Sequence, residues 1–107
     1  MPELFIDRKS LETIRAVIGR LCPEAEVWAY GSRVDGTAHE ASDLDLAVVD
    51  FGRSGGSIAA LRAALQESNV PFLIDLFDFH ALPENFQEEI KRRHTVLCSG
   101  ASNKSVK

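Results

Sequence analysis

Asp43 and Asp45 are separated by one residue, and both precede the apolar run Leu46–Val49. Alternate residues of a strand share a face, so the two carboxylates point the same way, roughly 6.5–7 Å apart along the backbone. Like charges that close repel, and partial burial adds a desolvation cost. A bound cation removes both objections. Two carboxylates at this spacing can converge on one ion or bridge a pair of ions roughly 3.5–4 Å apart. Mg²⁺ suits such a set, because it takes one or two protein carboxylates and completes its octahedron with phosphate oxygens and water. Asp75 is the third candidate. It interrupts the apolar run FLIDLF, in a strand that can lie beside the one carrying Asp45. In an interior strand an acid is costly unless it is paired or metal-bound. A lone Asp near a strand end is ordinarily a turn or cap residue; the combination with Asp75 argues for more.

Gly31 and Ser32 follow the run EVWAY. Glycine permits close backbone approach and unusual dihedrals. Backbone N–H groups and the Ser32 hydroxyl can then hold phosphate oxygens, and Arg33 can add a charge-assisted contact. Gly-Ser alone is weak evidence, being common in turns. Other residues receive plainer readings. Gly36 serves the turn, and His39 and Glu40 are solvated loop residues. His80 and His94 are isolated surface residues, Trp28 and Tyr30 core or sheet-face residues, and Asp78 a turn or helix-entry residue.

Several elements must position these groups. Ser10 is placed to cap a first helix, in which Leu11, Ile14, Val17, Ile18 and Leu21 recur at helical spacing. Strands are expected at Glu26–Tyr30, Asp43–Asp50 and Pro71–Phe77, with a short final one at Thr95–Cys98. A helix is expected from about Ser57 to Ser68. Another runs from near Pro83 to about Arg93, with Phe86 and Ile90 as its apolar contacts. Helix, strand, strand, helix, strand, helix describes an α/β (α+β) domain: a small mixed sheet flanked by helices. The face carrying Ala47 and Val49 is left to be covered by a helix, a partner or another copy of the chain.

The chain has 107 residues. That suits one domain, expected over residues 1–98, with a disordered tail over 99–107. The net charge of -4 and the scatter of the twelve Lys and Arg residues argue against direct nucleic-acid binding. Lys91, Arg92 and Arg93 fit the C-terminal end of a helix dipole. Cys22 and Cys98 lack CxxC spacing and read as buried free thiols. The N-terminus lacks a signal-peptide apolar region, and no run reaches membrane-spanning length, so a cytoplasmic protein is expected.

Gly31-Ser32, ten intervening residues, then Asp43-Leu44-Asp45 resembles the signature of the DNA polymerase β-like nucleotidyltransferases, and most closely their minimal (MNT) members. The fuller strings GSRVDG and SDLDLAVV are similar to that group, and Ile74-Asp75-Leu76 looks like its third-carboxylate strand. The resemblance implies a polymerase β-like nucleotidyltransferase fold. It implies Asp43, Asp45 and Asp75 as catalytic, metal-binding residues, with two Mg²⁺ ions. It gives Gly31 and Ser32 to the nucleotide triphosphate, with Arg33 beside them. The implied reaction moves a nucleoside monophosphate, AMP from ATP or another nucleotide, to a hydroxyl and releases pyrophosphate. Solitary MNT proteins resemble antitoxins, for which the implied acceptor is a tyrosine of a HEPN toxin. Two other readings stand beside this: a non-catalytic module that masks its partner, and a subunit that modifies a small molecule such as an antibiotic. A homo-oligomer is compatible with each.

Overall fold

The computed structural model describes residues 6–31, 43–53 and 55–99. Helix α1 spans Arg8–Leu21, and its cap is Asp7, whose carboxylate accepts the Ser10 N–H at 3.0 Å. The expected cap, Ser10, instead lies in the first turn and is buried. Asp caps a helix as well as Ser does, so the helix starts earlier and Ser10 turns inward. Ile14, Val17 and Ile18 form the buried stripe, while Leu21 is exposed.

Strands β1 (Glu26–Tyr30), β2 (Leu44–Asp50), β3 (Ile74–Asp78) and β4 (Thr95–Cys98) form one sheet in the order β3-β2-β1-β4. β1 runs antiparallel to β2 and β4, and β2 runs parallel to β3. A parallel pair needs a crossover, supplied here by α2 (Ile58–Gln66), which Ser57 caps by accepting the Ala60 N–H.

The third strand begins three residues later than expected. Pro71 has no N–H for a ladder, and pairing starts where the Leu44 N–H donates to the Leu73 carbonyl at 2.9 Å. β3 is also an edge strand, and Asp75 is exposed. The expected burial cost at Asp75 is therefore absent, and its interest rests on its neighbours. Because Leu73 turns its carbonyl toward β2, that of Leu76 faces outward. The Arg62 guanidinium donates to it at 2.7 Å and so covers part of the open edge.

Alternation divides the sheet. Val27, Ala29, Leu44, Leu46, Val48, Ile74 and Leu76 form the main core with α1 and α2. On the other face Ala47 packs with Phe79 and Ile90, joined by Trp28, Tyr30, Val49 and Leu82. Ile90 belongs to α3 (Glu84–Arg92) and Phe79 to a 3-10 turn, Phe79–Ala81, capped by Asp78. The cover for Ala47 and Val49 is thus intramolecular. Phe86 departs from expectation: it is 54 % exposed, and Ile90 is the one buried residue of α3. A short helix resting on a small cluster buries one turn of its apolar stripe and leaves the preceding turn outside. No helix among the described residues is long and apolar enough to cross a membrane.

Candidate active site

The second face carries the candidate chemistry. Cross-strand pairing sets Tyr30 opposite Asp45 and Asp45 opposite Asp75. One row therefore crosses three strands as Tyr30–Asp45–Asp75, all on one face. Neighbouring strands lie about 4.8 Å apart, so the two carboxylates stand side by side. Asp43 follows one step further along β2, exposed just before the strand begins.

Electrostatics bears this out. Asp45 is pushed up to about 6, first by burial, then by the charges of Asp75 and Asp43. Tyr30 is pushed up to about 12, again first by burial and then by Asp45 and Asp75. Among the described residues no Lys or Arg pairs with these carboxylates; the ion pairs found, Lys91–Glu88 and Arg92–Glu89, belong to α3. Nor do the described residues contain a closed nest of three metal-ligating side chains. The carboxylates are close enough to repel, yet remain open toward solvent.

Gly31 abuts this row. Its φ is 87°, and a Cβ there would lie 2.5 Å from Asp45 Oδ2. Both the backbone conformation and the space favour glycine. Ser32 and Arg33, the other residues expected to hold phosphate, lie outside the described residues, as do Gly36, His39 and Glu40. The structure thus brings Asp45, Asp75 and Gly31 together, with Asp43 alongside.

Tyr30 is the sheet-face residue expected, half-buried against the second cluster; its place opposite Asp45 was not foreseen. The available signal was its place in β1, one residue before Gly31. His94 differs from its expected surface role. It is partly buried and stacks on Trp28, with ring centroids 3.8 Å apart, while its Nδ1 donates to the Ile90 carbonyl at 2.8 Å. It closes the covered end of the face and does not reach the carboxylates through any contact found. Another concavity, about 650 Å³, lies between α1 and β4 and is lined by residues including Arg15, Cys22, Leu97 and Cys98. Burial pushes both thiols up, which makes them poor nucleophiles. The clustered carboxylates, with a shifted Asp45, are the better guide to chemistry.

The donor set fits a hard cation. It consists of carboxylate oxygens, the ligands that Mg²⁺ prefers, with mutual repulsion for a cation to relieve.

Comparison with known proteins gives concordant results. Residues 21–103 match the family Polymerase beta, Nucleotidyltransferase. The chain is 35% identical over 100 residues to a probable protein adenylyltransferase, MntA, of Haemophilus influenzae (strain ATCC 51907 / DSM 11121 / KW20 / Rd), covering 89% of this chain and 84% of that protein. The fold is similar to that in the crystal structure of a toxin-antitoxin with AMP-PNP, with a TM-score of 0.67 at 18% identity, over 89% of this chain and 84% of that one.

Proposed function

The chain belongs to the polymerase β nucleotidyltransferase family, and on that premise we propose that it transfers AMP from ATP to a hydroxyl of a protein partner, as an antitoxin. The observation that carries this reading is the Asp45–Asp75 pair beside Gly31, with which no described Lys or Arg pairs. The 35% identical relative, described as a probable protein adenylyltransferase, supports AMP and a protein acceptor. The similarly folded toxin-antitoxin, with its AMP-PNP, supports ATP and the antitoxin setting. We assign the acceptor to a tyrosine of a HEPN toxin.

In this reading Asp43, Asp45 and Asp75 hold Mg²⁺. When bound, the metal neutralises phosphate charge and lowers the cost of ionising the acceptor hydroxyl. The protein's own task is positioning, because phosphoryl-type transfer needs alignment and charge compensation more than covalent help. The acceptor oxygen bonds to the α-phosphorus as the bond from that phosphorus to the bridging oxygen breaks. Pyrophosphate leaves, and the hydroxyl proton passes to solvent. Gly31 leaves room for the triphosphate beside Asp45, and Ser32 and Arg33 bind its oxygens. Asp75 accepts the hydrogen bond of the incoming hydroxyl and orients it.

The test incubates the protein with Mg²⁺, α-labelled ATP and purified partner. Label should appear on the partner, and Asp43→Asn or Asp45→Asn should abolish it while the fold survives. Full transfer by both variants would sink the reading. Neutralisation of the partner by both variants without transfer would replace it with masking.

A further inference from the structure

The strand order gives the site two flanks. Gly31 follows β1, on one side of Asp45; Asp75 lies on β3, on the other. In the transfer proposed above, attacking and leaving oxygens lie roughly in line through phosphorus. With the triphosphate on the Gly31 flank, the acceptor must approach over β3.

The surface of β3 there is distinctive. Leu73 already joins the ladder through its carbonyl, so residues 73, 75 and 77 alternate onto the carboxylate face. Their intervening neighbours, Ile74 and Leu76, are buried at 4% and 0%, while Leu73 is 67% and Phe77 38% exposed. Asp75 is thus bracketed on an exposed edge strand by two large apolar side chains. The chain's net charge is -4, and no described Lys or Arg pairs with the carboxylates beside the stripe.

We propose that Leu73 and Phe77 form the acceptor-docking rim, which receives a protein segment whose hydroxyl is flanked by apolar side chains and whose nearby charge is positive. The proposal rests on the transfer reading above. Apolar bracketing suits a side-chain hydroxyl carried on a folded protein surface; a polyhydroxylated small molecule would leave these side chains without matching contacts. The outward carbonyl of Leu76 is already taken by Arg62. Added strand pairing is blocked at that carbonyl, and the side chains of the rim carry the recognition.

The experiment first lets the full chain, with Mg²⁺ and α-labelled ATP, label a protein in extract of its own cells; that protein is purified as the acceptor. Leu73→Ser and Phe77→Ser are then made singly and together. Both positions are exposed, and thermal unfolding checks that the fold is kept. The double variant should raise the acceptor KM by about tenfold while the ATP KM stays as it was. An unchanged acceptor KM, or both constants rising together, overturns the rim, as does label on a small molecule. If the wild-type chain labels nothing, the transfer reading fails separately. The rim is then judged with benzophenone cross-linkers placed at position 77 and, as a control, at Val96. One protein captured at 77 alone, and lost when Leu73→Ser is added, keeps the rim. No adduct, or equal adducts at both sites, overturns it.

Discussion

Asp45 is where function and stability conflict most directly. Its pKa lies near 6 in the folded chain against an ordinary 3.8. The folded state therefore binds the proton more tightly than the unfolded state does. That stabilisation is complete below about pH 3.8 and is lost as pH rises through 6. In metal-free protein, Asp45→Asn should raise Tm at pH 7 while abolishing transfer, and the Tm difference should vanish near pH 4. Thermal scans across that range in a chelating buffer check it; a variant less stable at pH 7 would show that the carboxylate is satisfied by something else. Gly31 is the complementary case. With φ at 87° and Asp45 Oδ2 in the way, Gly31→Ala should cost about 1 kcal/mol or more of stability. Transfer should fall further than that loss explains, because the intruding methyl displaces the carboxylate itself. Denaturant unfolding and single-turnover transfer, measured on the same preparation, separate the two effects.

At the scale of elements, the row Tyr30–Asp45–Asp75 exists because β1 and β3 both pair with β2, one antiparallel and one parallel. The main core enforces that register. Leu76 is fully buried beneath it, so Leu76→Ala should cost about 2–5 kcal/mol by urea unfolding, with transfer lost in proportion to the unfolded fraction. Arg62→Ala should cost about 1 kcal/mol and bare the outward edge of β3. Concentration-dependent association in sedimentation would show that the guanidinium guards this edge. Much of this architecture was legible in the sequence. Alternation separated Asp45 from Leu44 and Leu46, and the apolar run around Asp75 identified its strand. Lateral order was not legible, because periodicity reports which face a residue occupies and not which strands are neighbours. Asp75 was therefore expected in the interior and lies on the edge, and Tyr30 was not linked to Asp45. Phe86 misled for a related reason: helical spacing gives a face, but how far the opposing surface extends depends on the tertiary fold.

For the whole molecule, the consequence is that a chain of 107 residues keeps a cluster of repelling carboxylates at the rim of a small second core. Ligands that relieve the repulsion should stabilise the entire fold. Anything that binds only the native state adds RT ln(1 + [L]/Kd), about 2.7 kcal/mol at a hundredfold excess over Kd. Mg²⁺ together with a non-hydrolysable ATP analogue should therefore raise Tm by several degrees, and chelation should restore the starting value. Mg²⁺ alone should give a smaller rise, because the phosphate oxygens that complete its coordination are then missing. The rise should disappear in Asp43→Asn and Asp45→Asn. Asp75→Asn should keep part of it, since Asp75 lies on the flank away from Gly31 and is the most exposed strand member of the row. Equal rises in all three variants would mean that the nucleotide binds elsewhere. A full rise in Asp75→Asn with no transfer would confine that residue to the acceptor side, as the proposed transfer has it.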